Sequence, residues 1–302
     1  MNKLSAALSS MRLRTLPLSL AGVLLGGLLA VADYMVRPAV LALVCLTTVC
    51  LQILSNLSNE LGDVLRGTDT AQREGPAYGL NSGVLSIRAM KTLIAVFVLL
   101  CCASGAAMIW LSFGTFWCLE SLLLLLLGAS AIVAAMRYTL GRNPYGYRAK
   151  GDFYVFVFFG LVSVLGSYFV CAHALHSWLL LLPAAAIGFF SMGVLNTNNI
   201  RDMETDAPNR VTVAIKLGLH GARIYQTVLI AAGLVCMAVY TALRLPDWRH
   251  WLWLATLPLY VVHLKGVWTH TGRSLDKYLP ILVITTCALS LLAGAGFTMY
   301  LW

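Results

Sequence analysis

The chain has only 12 acidic residues, and seven of them fall in two short segments. Glu60, Asp63, Asp69 and Glu74 form the first group; Asp202, Glu204 and Asp206 form the second. Within each group the oxygen-bearing residues repeat at helical spacing. Asn59 and Asp63 are four apart, and so are Asn198, Asp202 and Asp206 in turn. Side chains at i and i+4 share one face of a helix. Each group therefore presents a stripe of oxygens, and neighbouring carboxylates repel unless a cation lies between them. A hard divalent ion suits that position. Mg²⁺ takes oxygen ligands, keeps several waters, and is commonly held by one or two carboxylates together with substrate phosphates. Asn59, Asp63, Asp69, Asp202 and Asp206 are the expected metal-side residues, and two facing stripes would clamp a diphosphate.

Cations flank the same segments: Arg66, Arg73, Arg201, Arg210 and Lys216. Some serve membrane topology. Arg73 and Lys216 are also candidates for direct diphosphate contact, since Arg grips such groups bidentately and Lys binds them as a point charge.

The elements that must position these residues are membrane helices. Of the 302 residues, 60% are hydrophobic and 11% charged, against about 25% charged in a soluble domain. The apolar residues come in runs of roughly 20, the length that spans a bilayer core of about 30 Å. The runs are continuous rather than alternating, which points to helices and not a barrel. Nine stretches can be marked, near 15–32, 38–58, 92–111, 116–136, 153–172, 178–198, 224–243, 249–264 and 279–301. The expected architecture is all-α: one domain over 1–302, a polytopic bundle of about nine transmembrane helices around a central cavity open to the cytoplasmic side.

Orientation follows from the basic residues. With the N-terminus in the cytoplasm, only Arg37, Arg244 and Arg249 of the 21 Lys and Arg residues fall on the opposite side. The positive-inside rule selects that arrangement. It predicts a bacterial cytoplasmic (inner) membrane protein whose acidic segments face the cytoplasm. The net charge of +9 thus reflects topology and lipid contact, and no nucleic-acid partner is expected. Lys3, Arg12 and Arg14 read as topology signals before a retained first helix. The eight cysteines form no metal-type CxxC and read as small apolar packing residues. The six histidines have no partner at ligand spacing and receive no role.

A charged head that takes metal and base, with an apolar tail lying among helices, describes a polyprenyl diphosphate. The motifs carry a resemblance to the same effect. Asn59-Glu60-Leu61-Gly62-Asp63 followed by Gly67-Thr68-Asp69, and Asn198-Asn199-Ile200-Arg201-Asp202-Met203-Glu204-Thr205-Asp206, resemble the paired motifs of the UbiA superfamily of membrane prenyltransferases. Tyr138-Thr139, the Pro144 to Arg148 run and Thr212 to Gly218 also stand in family-like positions. The likeness is closest to the MenA type, the 1,4-dihydroxy-2-naphthoate polyprenyltransferases. Glu60 stands where Asp is usual, and Tyr78 where related sequences tend to carry Arg.

The resemblance implies Mg²⁺-assisted alkylation of an electron-rich ring. A polyprenyl diphosphate ionises, a dry pocket holds the carbocation, and the ring attacks with loss of its carboxylate, giving demethylmenaquinone. It assigns catalytic parts to Asp63, Asp202 and Tyr138. It assigns substrate binding to Asn59, Arg73, Asn198, Asn199, Arg201, Lys216, Tyr147 and Arg148. Tyr145 and Tyr147 also suit interfacial anchoring. Two alternatives stand beside this reading: another aromatic acceptor such as 4-hydroxybenzoate, and an ion-coupled transporter. A transporter places its acids near the bilayer midplane, whereas these lie at helix ends.

Overall fold

The computed structural model describes residues 2–67, 78–208, 210–244 and 247–299. A short helix, α1 (Lys3–Ser10), precedes the first span. It is joined to α2 (Leu16–Asp33) through a left-handed residue, Arg12, and one 3₁₀ turn, Leu13–Thr15. Then follow α3 (Pro38–Leu65), α4 (Ile87–Phe113) and α5 (Leu119–Arg137). The next span runs α6 (Gly151–Val155), a π-helical segment (Phe156–Val162) and α7 (Ser163–Ala172) without a break. After α8 (Leu181–Arg201) come the single turn α9 (Met203–Asp206), α10 (Val213–Leu243), α11 (Leu257–Thr269) and α12 (Leu279–Thr298).

Within the described residues, all nine apolar stretches fold as helical segments. Among the described residues, eight are long and apolar enough to cross a membrane on their own. The segment 248–269, a 3₁₀ stretch Trp248–Thr256 followed by α11, is not among those eight. The chain is thus a multi-pass helical membrane protein.

Two features of the packing position the site. Small residues let helices approach closely, as they do in membranes generally. A β-carbon at Gly22 or Gly26 would collide with Ser163, Ser167 and the backbone of Phe159 and Val164, so α2 lies tight on the α6–α7 span. The core runs along this seam and on to α8, α10 and α12. A second apolar cluster joins α3 and α4 to α1 and to the segment 78–85. By contrast α5 buries only one residue fully, Ser121, and turns one face, including Leu124, Leu127 and Ala131, to a cavity.

Helix ends differ from the apolar stretches in an informative way. α3 extends past the apolar run to Leu65, so Asn59 to Asp63 are themselves helical. α10 begins at Val213, eleven residues before the apolar stretch, with Thr212 capping its first turn through Oγ1. Asn59 to Asp63 therefore sit on the last turns of α3, while Asn198 lies on the last turn of α8, Asp202 caps that helix and Asp206 follows in α9.

Candidate active site

Gln52, Asn56, Asn59 and Asp63 follow one another at helical spacing on α3 and line one cavity. The upper pair is tied to the turn before α2. Asn56 Nδ2 donates to Met11 O at 2.8 Å and to Thr15 Oγ1 at 3.1 Å, and Gln52 Nε2 donates to Asn56 Oδ1 at 3.1 Å. The lower pair meets the segment after α5. Thr139 Oγ1 donates to Ser58 O at 3.0 Å, a contact that a side chain at Gly62 would block. Tyr147 donates its hydroxyl to Asp63 Oδ1 at 2.6 Å.

Glu60 does not join them. It is wholly buried, and its Oε1 accepts from the backbone N–H of Leu80 at 2.6 Å and of Asn81 at 3.3 Å. It is absent from the cavity wall and acts as an anchor for the segment that starts at Tyr78.

The second group closes α8. Asn198, Asn199, Arg201 and Asp202 line the same cavity. Arg201 grips Asp202 as a two-pronged fork, Nε to Oδ1 at 2.8 Å and Nη2 to Oδ2 at 2.6 Å. Its remaining nitrogen reaches Asp276 at 2.7 Å. One turn on, Asp206 pairs with Arg210 at 2.5 Å and stays behind the cavity wall. Deeper in α8, Asn196 donates to Gln226 Oε1 at 2.9 Å; Gln226 Nε2 contacts His263 at 3.0 Å, and His263 Nδ1 contacts Tyr278 O at 2.9 Å. This buried chain fixes α8 against α10, α11 and the start of α12.

The two groups meet through the segment that carries Tyr147. Ala149 N donates to Val211 O at 2.8 Å and Val211 N to Tyr147 O at 3.2 Å, a short parallel pairing of residues 147–149 with the segment before α10. The ring of Tyr147 thereby lies between Arg66 and Arg210, 5.2 and 5.8 Å from its centre. Burial works against the Arg210 charge, yet Asp206 and Asp63 together hold its proton more tightly than usual. One guanidinium thus senses a carboxylate from each motif.

Between these ends lies a cavity of about 420 Å³, within the range of small-molecule sites. One wall is aromatic. Tyr138 meets Tyr145 edge-on at 5.3 Å, and Tyr145 stacks on Tyr154 at 3.9 Å. Phe158 and Phe159, from the π-helical segment, continue that wall. π-helical turns are often found at functional sites. Leu124, Leu127 and Ala131 of α5, Val162 of the π-helical segment and Val170 of α7 add apolar lining, with Ser163 and Ser167 among them. Burial raises the Tyr138 hydroxyl to about 12, so it stays protonated at neutral pH.

Of the residues expected from the sequence, Asn59, Asp63, Tyr138, Asn198, Asn199, Arg201 and Asp202 line the cavity. Tyr147 joins through Asp63. Lys216 is exposed on the first turn of α10 and Arg148 is exposed and donates to Asn143 at 2.8 Å; neither lines the cavity. Arg73 and Asp69 lie outside the described residues. The structure adds Arg12, Arg14, Tyr78, Gln52 and Tyr154 to the wall. The two arginines were legible only as topology charges; their place directly before the first span, on the same side as the acidic motifs, was the available signal.

Among the described residues no three Asp, Glu, His or Cys side chains form a ready-made metal cage. The donor set is sparser: Asp63 and Asp202 with the amides of Asn59, Asn198 and Asn199 around one cavity. That set fits an ion completed by water and phosphate oxygens.

Comparison with known proteins agrees with this geometry. Residues 19–280 match the UbiA prenyltransferase family. The chain is 39% identical to the 1,4-dihydroxy-2-naphthoate octaprenyltransferase of Escherichia coli over 267 residues, covering 88% of this chain and 86% of that protein. It is 35% identical to the protein of the same name from Haemophilus influenzae, covering 90% and 87%. Its fold resembles the apo structure of a UbiA homolog from Aeropyrum pernix, with a TM-score of 0.68, 18% identity and coverage of 97% and 98%.

Proposed function

The chain belongs to the UbiA prenyltransferase family and is an aromatic prenyltransferase; we propose that it moves a polyprenyl group from polyprenyl diphosphate to 1,4-dihydroxy-2-naphthoate, releasing diphosphate and the ring carboxylate as CO₂, to give the quinol form of demethylmenaquinone. One observation carries the reading. Asp63 and Asp202, from the ends of two helices far apart in the chain, line one cavity that also carries a large apolar and aromatic surface. A diphosphate bearing a hydrocarbon tail needs both surfaces at once.

Mg²⁺ is the proposed cofactor; Asp63 and Asp202 would hold it with help from Asn59, Asn198 and Asn199, and it would offset charge growing on the departing diphosphate. The protein's own residues do the rest. Tyr147 and Arg201 fix the two carboxylates in place. Arg210 supplies positive charge on the cavity wall between the motifs. As the allylic C–O bond breaks, Tyr138, Tyr145, Tyr154 and Phe158 offer π faces to the cation, and the apolar lining keeps out water that would quench it. The hydroxyl of Tyr138, kept neutral by burial, cannot trap the cation as a phenolate. The acidic ends of α3 and α8 face the cytoplasm of a bacterial inner membrane in this reading, with the N-terminus on the same side.

The test uses membranes containing the protein, Mg²⁺, a labelled polyprenyl diphosphate, and either 1,4-dihydroxy-2-naphthoate or 4-hydroxybenzoate. Labelled product from the naphthoate is expected. Product from 4-hydroxybenzoate alone overturns the acceptor assignment, and no product from either overturns the reading.

A further inference from the structure

Most cations on the cavity wall are already engaged. Arg201 is spent on Asp202 and Asp276, Arg210 on Asp206 with only its buried Nε left over, and Arg14 Nη2 donates to the Tyr78 hydroxyl at 3.0 Å. Arg12 differs. Its Nε and Nη2 are both buried, and among the described residues neither has an acceptor. Leaving charged donors buried without a partner is costly.

The rest of Arg12 is held firmly. Its backbone is left-handed, φ 50° and ψ 52°, a conformation that costs energy outside glycine and collects at ligand clamps. Several contacts impose it. Arg12 O accepts from Thr15 N and Thr15 Oγ1, each at 2.9 Å, and Arg12 N donates to Ser9 O at 3.1 Å. Asn56 fastens the preceding carbonyl, Met11 O. The guanidinium lies 4.2 Å from the centre of the Tyr78 ring, a cation–π contact that fixes its plane. Tyr78 is in turn fixed by Arg14 and by its own N–H, which donates to Asn81 Oδ1 at 2.6 Å.

Nε and a terminal nitrogen on the same edge make the side-on fork that matches the two oxygens of a carboxylate. The turn bearing Arg12 is pinned at Asn56, seven residues before Asp63 on α3. At 1.5 Å per residue that is about 10 Å along the helix. This separation suits a second anionic group, one aromatic ring away from a diphosphate held at Asp63 and Asp202. We propose that Arg12, braced by Tyr78, binds the ring carboxylate of the aromatic acceptor. The inference rests on the prenyl-transfer reading and adds the acceptor's subsite to it.

The experiment measures equilibrium binding to purified protein in detergent, without turnover, by quenching of tryptophan fluorescence. Three probes are used: 1-hydroxy-2-naphthoate, 1-naphthol, which lacks the carboxylate, and a polyprenyl thiodiphosphate. The wild type should favour the naphthoate over 1-naphthol by at least about tenfold, the ratio expected for a charge-assisted contact. Arg12→Gln should erase that preference and leave the affinities for 1-naphthol and the thiodiphosphate unchanged. Arg12→Lys keeps the charge without the fork and should retain only part of the preference, and it serves if the Gln variant does not fold. A preference that persists in Arg12→Gln overturns the assignment, as does its absence in the wild type. Loss of thiodiphosphate binding with carboxylate preference intact makes Arg12 a diphosphate residue instead. If the wild type prenylates the naphthoate while any of these results holds, Arg12 alone is misassigned; if it does not, the acceptor reading has failed.

Discussion

Tyr147 donates to Asp63 from a segment 84 residues further along the chain, at 2.6 Å. That single contact joins the first acidic motif to the strand-like pairing with Val211, and through it to the second motif. It orients the oxygen it contacts on a carboxylate that lines the cavity.

Tyr147→Phe should therefore slow turnover without unfolding the protein. A hydrogen bond to a charged group contributes about 1.5–3 kcal/mol, so a fall in kcat of roughly tenfold or more is expected. Steady-state kinetics at saturating Mg²⁺ checks this. Unchanged kcat would mean that Asp63 needs no orientation.

Asp63→Asn and Asp202→Asn should each abolish detectable prenyl transfer while the protein still elutes as a folded species in detergent. Full activity in either purified variant would remove that carboxylate from the site. Arg201 carries a different burden. Arg201→Met would strand the buried Asp202 carboxylate, and removing one partner of a buried pair costs about 3–5 kcal/mol. Its first symptom should be a lower unfolding temperature, measured by thermal shift in detergent.

Tyr138 gives a pH prediction. Burial lifts its hydroxyl from the ordinary value near 10 to about 12. The folded protein then keeps a proton that the unfolded chain loses as pH passes 10. The associated stability is fully present below pH 10 and is lost as pH rises through 12. Tyr138→Phe removes this group, so its unfolding temperature should fall less steeply than the wild type's between pH 10 and 12. At neutral pH Tyr138→Phe should keep most activity, since the ring supplies the π face, while Tyr138→Leu should lose it. Equal loss in both variants would make the hydroxyl essential.

The helices and the acidic stripes were legible because each obeys a local rule. Apolar runs of membrane length must be helical, and polar residues at spacing four in such a run must share a face. What was not legible depends on contacts between distant segments. Lys216 and Arg201 look alike as loop cations, yet one is exposed on α10 and the other grips Asp202. Asp206 sits at the right spacing, but an arginine four residues on takes up its charge. Arg12 becomes part of the wall only because α1 folds back before α2, bringing Ser10 Oγ against the N–H of Gly79 at 3.1 Å. No periodicity in residues 1–16 announces that turn.

Glu60, three residues before Asp63, is buried away from the cavity that Asp63 lines. Three residues leave positions 60 and 63 only about 60° apart around the helix, so contacts rather than phase separate them: Asp63 lines the cavity while Glu60 is drawn to the segment 78–81. The longer glutamate reaches two backbone N–H groups there, at Leu80 and Asn81. Glu60→Ala would leave both donors buried without that acceptor, at about 1–3 kcal/mol each. The expected result is a clear drop in unfolding temperature. Activity assayed well below that temperature should show an unchanged dependence on Mg²⁺ concentration. Glu60→Asp, one methylene shorter, should be destabilised less than Glu60→Ala. A raised Mg²⁺ requirement in Glu60→Ala at unchanged stability would instead place this carboxylate among the metal-side residues, and would require α3 to turn in the working enzyme.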